Sequence, residues 1–123
     1  MQDPLYRELI LEHWQNPQNY GVVKNADIDV TESNPLCGDE IRFTAKVKDG
    51  ALTNVKFSGE GCAISKASAS IFTEKIKNMK IADIKKITPD EVLSGLGLEL
   101  TPARVKCGLL ILQTTKKAIS QTK

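Results

Sequence analysis

Hydrophobic and polar residues alternate over three segments of the first half of the chain. The alternation runs over residues 27–31, 41–48 and 55–57, and an Asp49-Gly50 pair separates the last two segments. A period of two is typical of strands with one buried face, and Asp-Gly between two such segments favours a tight hairpin turn. The first half of the chain therefore predicts an antiparallel meander of three strands with one apolar face.

The remaining apolar residues recur at helical spacing, three to five positions apart. Helices are predicted to begin at Asp3-Pro4, just past Gly61, near Ile81, at Thr88-Pro89 and at Thr101-Pro102. The first is expected to end near His13 and the fourth at Gly95, because glycine commonly terminates a helix. Strands followed by helices predict an α+β fold, a small three-stranded antiparallel sheet with helices packed on one face.

The same spacing predicts which helical side chains are buried. On the first helix, Tyr6 and Trp14 are interpreted as core residues. On the last helix, the predicted buried stripe consists of Val105, Leu109, Leu112 and Ile119.

Composition limits the classes of function. A chain of 123 residues with 41% hydrophobic and 26% charged content predicts one compact domain, residues 1–123. The net charge of +2 is scattered and forms no basic block, which argues against a nucleic-acid partner. No apolar run approaches a membrane span and no secretory signal is recognisable at the start, so we expect a cytoplasmic protein with no membrane partner.

Three cysteines are the candidate chemical groups. An odd number of cysteines in a reducing compartment favours thiols, metal ligands or catalytic groups over a disulfide framework. Cys37, Cys62 and Cys107 each adjoin a glycine, whose missing side chain lets a metal, cluster or partner approach the backbone. Their separations of 25 and 45 residues match no Cys-x-x-Cys motif. Asp39 lies two positions from Cys37 in an extended stretch and can supply an oxygen as a fourth ligand. The spacing thus permits a metal site without establishing one.

Two other interpretations are consistent with the pattern. Free cysteines are frequently buried as small hydrophobic residues, so the three can be structural and unrelated. A structural zinc module that binds another protein also fits the spacing. His13, the only histidine, is far in sequence from every cysteine, so we predict a helix-surface or packing role for it rather than a Cys-His nucleophile.

Four segments in order carry a resemblance to a known family: LYRELILEHWQNPQNYG, NPLCGDEI, SGEGCAISKASAS and PARVKCGLL. With these motifs the chain resembles the NifU/IscU/SufU family of iron-sulfur cluster assembly proteins, and the first, third and fourth look like the SufU branch. The resemblance implies a SufE/NifU-like α+β fold in which Cys37, Asp39, Cys62 and Cys107 are gathered at one exposed end.

The chain departs from both branches of that family. IscU-type proteins carry a Leu-Pro-Pro-Val-Lys segment and a histidine before the third cysteine, where this chain has LTPAR and Lys106. SufU proteins usually carry an additional stretch between the second and third cysteines, which this chain lacks. The resemblance therefore leaves two mechanisms open.

The first mechanism is that of a zinc-dependent sulfur acceptor, with Zn²⁺ on Cys37, Asp39, Cys62 and Cys107. The resemblance implies that a cysteine desulfurase delivers persulfide sulfur and that a histidine of the desulfurase replaces one thiolate on the metal. Cys37 is the preferred acceptor and Cys107 the second candidate, while Arg104 is a candidate contact to the partner.

The second mechanism is that of a scaffold, in which the same groups transiently hold an iron-sulfur cluster, 2Fe-2S being the expected type. The cluster would then pass to downstream acceptor or assembly proteins. Asp39 would weaken the hold on the cluster, since a carboxylate oxygen suits cluster iron less well than a fourth sulfur.

Overall fold

A computed structural model describes residues 4–34, 38–96 and 102–121, with the backbone alone for residues 4–7 and 103. Cys37 lies outside these described ranges. Helices and strands follow one another as α1 (Pro4–Gln15), β1 (Ile28–Asn34), β2 (Asp39–Lys48), β3 (Ala51–Glu60), α2 (Ala63–Ile76), α3 (Ile81–Ile84), α4 (Pro89–Leu96) and α5 (Pro102–Ser120).

The three strands form one antiparallel sheet in the order β1-β2-β3, as the alternation predicts. Phe43 is paired with Val30 on one side and with Phe57 on the other, and all three side chains are buried. Asp49 and Gly50 both have positive φ, 53° and 77°, which is the backbone of a tight hairpin turn. The predicted meander is therefore confirmed.

Helices α2 and α5 cover the apolar face of this sheet. α5 packs against β1 and β2, α2 packs against β3, and the two helices contact each other. Between them lies the larger hydrophobic core, in which Phe43, Val55, Ile76 and Ile111 are almost fully buried. The predicted α+β fold is confirmed, because the helices supply the cover that an apolar sheet face requires.

Helix α1 differs from its prediction in length and in burial. It extends to Gln15 rather than ending near His13. Trp14 is 41% exposed, so its assignment to the core is wrong, and the side chain of Tyr6 is outside the described part of the structure. α1 packs mainly on α2, and among its described side chains Ile10 is the buried one.

The buried face of α5 is wider than its predicted stripe. Leu112 and Ile119 are buried as expected, whereas Val105 and Leu109 are partly exposed. Further buried positions on α5 are Leu110, Ile111, Thr114, Thr115 and Ala118. The stripe was predicted from apolar residues on a single face, but α5 contacts the sheet, α2 and α4 at once.

Helix α4 continues past the glycine expected to end it. Gly95 lies inside the helix without a positive φ, and the next residue, Leu96, is buried. Leu96 packs beside Ile10 of α1 and Ala67 of α2, and the helix includes this residue after Gly95. None of the helices in the described ranges is long and apolar enough to cross a lipid bilayer.

Candidate metal centre

Three of the four predicted ligands lie together at one end of the sheet. Asp39 is the first residue of β2, Cys62 caps the start of α2, and Cys107 lies in the second turn of α5. One ligand atom from each residue lies within 4.8 Å of the other two. The fourth predicted ligand, Cys37, is outside the described residues, and its sequence position two residues before Asp39 is all that links it to this cluster.

The chain connections explain why residues so distant in sequence converge. The last residue of β1, Asn34, pairs with Asp39, and the amide of Gly38 donates to the Asn34 carbonyl oxygen over 2.9 Å. Gly38 has φ of 74°, a conformation that glycine adopts without strain. α2 begins directly after β3 at Cys62, beside the start of β2, and α5 packs across both elements.

The Asp39 carboxylate is bound to the first turn of α2. Its Oδ1 accepts a hydrogen bond from the backbone amide of Cys62 at 3.1 Å, and its Oδ2 accepts one from the hydroxyl of Ser65. The Cys62 side chain makes no capping bond within the described structure. Asp39, which belongs to β2, therefore caps the start of α2 with its side chain. Its carboxylate lies at the positive end of the helix dipole.

The two described thiols differ in accessibility. Cys62 is half-buried, and its Sγ lies 3.6 Å from Asp39 Oδ2 and 3.8 Å from Ser65 Oγ. Cys107 and Asp39 are each only 3% exposed. The expected clustering is present for these three residues, but the expected exposure is not, because α2 and α5 pack over the start of β2.

Gly61 leaves little room for a side chain beside Asp39. A side-chain carbon at this position would lie 3.1 Å from Ser65 Cβ, 3.2 Å from Asp39 Cγ and 3.3 Å from Asp39 Oδ1. The sequence predicted that glycines beside the thiols would leave room for a metal or a partner. Gly61 instead leaves room for the ligand carboxylate itself.

The described donor set fits a zinc or iron ion. Zinc bound at about 2.0–2.3 Å to oxygen and sulfur in a tetrahedron requires neighbouring ligand atoms about 3.3–3.8 Å apart. The three ligand atoms, all within 4.8 Å of one another, lie close to that spacing. Two thiols with one carboxylate suit Zn²⁺ or cluster iron better than Mg²⁺ or Ca²⁺, which prefer oxygen alone.

A groove of about 310 Å³ adjoins the cluster between the end of β1 and α5. Its walls include Asn34, which pairs with Asp39, and Lys106, which precedes Cys107. Arg104 is exposed in the first turn of α5. The groove gives a partner molecule access to the surface next to the buried Cys107.

Two serines of α2 that were not singled out from the sequence lie close to backbone carbonyl oxygens of α5, and the first of them, Ser65, belongs to the site. Ser65 contacts the Asp39 carboxylate, and its Oγ is also 3.2 Å from the Cys107 carbonyl oxygen. One turn later, Ser68 donates to the Gly108 carbonyl oxygen at 2.6 Å. Spacings of three residues from Cys62 to Ser65 and on to Ser68 were the available signal, because such residues share a helix face.

His13 has the packing role predicted for it. Its Nδ1 lies 2.6 Å from the Ser70 hydroxyl, which ties α1 to the middle of α2. Within the described ranges, the group of potential metal ligands contains Asp39, Cys62 and Cys107 and does not include this histidine. The described structure therefore gives no support to a Cys-His nucleophile.

Comparison with known sequences gives a family match over almost the whole chain. The family model described as NifU-like N terminal domain matches residues 5–123. The chain is 37% identical over 136 aligned residues to the zinc-dependent sulfurtransferase SufU of Bacillus subtilis, covering 97% of this chain and 92% of the relative. It is 36% identical over 115 residues to the iron-sulfur cluster assembly scaffold protein IscU 1 of Archaeoglobus fulgidus, covering 94% and 74%.

Solved structures share the fold. A candidate iron-sulfur cluster assembly scaffold protein for the SUF system from Fervidobacterium islandicum AW-1 has a TM-score of 0.77 at 25% identity, covering 91% of this chain and 94% of that one. The N-terminal part of a NifU-like protein from Brucella abortus has a TM-score of 0.78 at 20% identity, covering 94% and 92%. The arrangement of the sheet and helices is therefore common to these proteins.

Proposed function

The chain belongs to the NifU-like N-terminal domain family, and we propose that it acts in iron-sulfur cluster assembly as a zinc-dependent acceptor of persulfide sulfur from a cysteine desulfurase. The observation that carries the proposal is the convergence of Asp39, Cys62 and Cys107 from three separate elements. The SufU relative, named as a zinc-dependent sulfurtransferase, supports it. We take residues 1–123 as one functional domain and the cytoplasm as its location.

The proposed metal ligands are Cys37, Asp39, Cys62 and Cys107. Bound zinc would hold the thiols as thiolates at neutral pH. Asp39 is already oriented by the amide of Cys62, so its carboxylate needs little reorganisation to serve as a ligand. The burial of Cys107 and Asp39 excludes water from one side of the site.

Sulfur transfer requires one accessible thiolate, and we assign that role to Cys37. Its Sγ attacks the terminal sulfur of the desulfurase persulfide, forming a new S–S bond while the original S–S bond breaks. The desulfurase cysteine leaves as a thiolate, so the step involves no net oxidation or reduction. Cys107, the second candidate, is only 3% exposed, so its thiol offers a partner's persulfide little surface to approach.

The proposed partner surface surrounds the groove between β1 and α5. A desulfurase loop carrying the persulfide can enter beside Asn34 and Lys106. The exposed Arg104 lies in the same helix, one turn before Cys107, and is proposed to contact the partner. An arginine there can pair with a carboxylate of the docking protein or with the anionic persulfide.

A second candidate function is an iron-sulfur scaffold of IscU type. The alignment with the SufU relative spans 136 positions, more than the 123 residues of this chain, so that relative contains residues without a counterpart here. The alignment with the archaeal IscU relative spans only 115. A cluster assembled on the same thiols would then pass to a downstream acceptor or assembly protein.

Mass spectrometry of the protein after incubation with desulfurase and cysteine tests the acceptor role. We expect the zinc-loaded protein to gain the mass of one sulfur atom on Cys37, and the Cys37→Ala variant to gain none. If iron instead produces a coloured cluster on the same thiols, the scaffold function is supported. If zinc removal unfolds the chain and sulfur never transfers, the protein is a structural zinc module.

A further inference from the structure

Ser65 contacts all three described ligand residues. It is 1% exposed in the first turn of α2 and donates to Asp39 Oδ2. Its Oγ lies 3.2 Å from the carbonyl oxygen of Cys107 and 3.8 Å from Cys62 Sγ. A hydroxyl has a single proton, so Ser65 can donate to one acceptor at a time. Its two possible acceptors are the Asp39 carboxylate and the Cys107 carbonyl oxygen.

The hydrogen bond from Ser65 helps to fix the orientation of the Asp39 carboxylate. Oδ1 of Asp39 is held by the Cys62 amide, and the Ser65 hydroxyl fixes the rotation of Oδ2. A carboxylate oxygen has two lone pairs, so Asp39 Oδ2 would keep the Ser65 hydrogen bond while it serves as a metal ligand. Partners that orient a metal ligand by hydrogen bonding typically raise metal affinity about 10–100-fold.

We propose that Ser65 is a positioning residue, which fixes the Asp39 carboxylate for metal binding and joins it to α5 at Cys107. This inference rests on the proposed function in that it requires the cluster to bind metal. It goes beyond the ligand set, because Ser65 itself is not a ligand.

The test measures zinc affinity by competition with a chromophoric chelator and needs no desulfurase. Ser65→Ala is expected to weaken zinc binding by about 10-fold or more. The matched control is Ser68→Ala, which removes another buried serine hydroxyl, 2% exposed and bonded to the Gly108 carbonyl oxygen, without touching Asp39. Ser68→Ala is expected to leave zinc affinity unchanged.

A double-mutant cycle separates positioning from a general structural effect. If Ser65 acts through Asp39, Ser65→Ala has no further effect on zinc affinity in an Asp39→Ala background. The visible absorption of the cobalt-loaded protein should change for Ser65→Ala and not for Ser68→Ala. The melting temperature of the metal-free protein should fall similarly in both serine variants, since each removes one buried hydrogen bond donated by a serine of α2.

Each outcome of these measurements bears on a separate claim. Equal losses of zinc affinity in the two serine variants, or an undiminished effect of Ser65→Ala in the Asp39→Ala background, would overturn the role of Ser65 alone. A wild-type protein that binds no zinc would overturn the proposed function together with this inference. A selective loss that disappears in the Asp39→Ala background supports both.

Discussion

Replacing Gly61 by alanine is the substitution that most directly strains the site. The added methyl group would lie 3.1 Å from Ser65 Cβ and 3.2 Å from Asp39 Cγ, and both neighbours are buried and hydrogen-bonded. Overpacking of this kind lowers the free energy of unfolding by about 1–3 kcal/mol. Alanine also lowers the conformational entropy of the unfolded chain, which raises the free energy of unfolding by about 0.4–1 kcal/mol. We expect Gly61→Ala to lower the free energy of unfolding of the metal-free protein by about 1 kcal/mol. Zinc affinity should fall as well, since the Asp39 carboxylate must move.

The matched control for this experiment is Gly95→Ala. Gly95 lies in α4 with no atom within 4 Å of an added methyl group, so alanine should raise the free energy of unfolding by about 0.5–1 kcal/mol. Urea unfolding with a chelator present measures both variants, and chelator competition then gives their zinc affinities. The reasoning is refuted if Gly61→Ala stabilises the protein as Gly95→Ala does and leaves zinc affinity unchanged.

The remaining predictions concern stability, pH and metal removal. Thr115 is buried and its hydroxyl has no hydrogen-bond partner in the described part of the chain, so Thr115→Val should raise the urea midpoint. Thr114→Val removes a 2.7 Å hydrogen bond to a backbone carbonyl oxygen and should not raise the midpoint. The hydrogen bond from Arg42 lowers the pKa of Asp29 in the folded state, so this pair stabilises the protein above the ordinary value of 3.8 and the contribution disappears as pH falls. Arg42→Ala should therefore reduce stability slightly at pH 7 and not at pH 2 in parallel urea titrations. Zinc at about 1,000 times its Kd should raise the free energy of unfolding by about 4 kcal/mol, and excess chelator should remove that gain in a thermal scan.

Local patterns were sufficient to predict the fold. Alternation placed the three strands because a period of two separates a buried face from an exposed one, as at Val30 and Phe43. Trp14 was misassigned because helical spacing shows which residues share a face, not how wide a face the partner covers. α1 packs mainly on α2, and its apolar side chains Leu9, Leu11 and Trp14 stay exposed.

The candidate site was predictable in its residue types but not in its internal contacts. The Cys-Gly-Asp motif and the glycines beside the other cysteines permitted a metal site, and the family resemblance made Asp39, Cys62 and Cys107 candidate ligands. The burial of Cys107 and the contact of Ser65 with Asp39 depend on how α5 packs across α2, which is a long-range contact that sequence spacing does not encode. The position of Cys37 in the site remains a prediction, since that residue is outside the described ranges.

The most direct test of the account is the turnover of the cognate cysteine desulfurase, with cysteine as substrate, in the presence of this protein. The comparison needs the zinc-loaded and metal-free wild type and the zinc-loaded Cys37→Ala and Asp39→Ala variants. The account predicts that only the zinc-loaded wild type accelerates sulfur release. Zinc that has no effect on desulfurase turnover, or that inhibits it, would contradict the proposed function. Added iron that assembles a cluster on the protein would also contradict it.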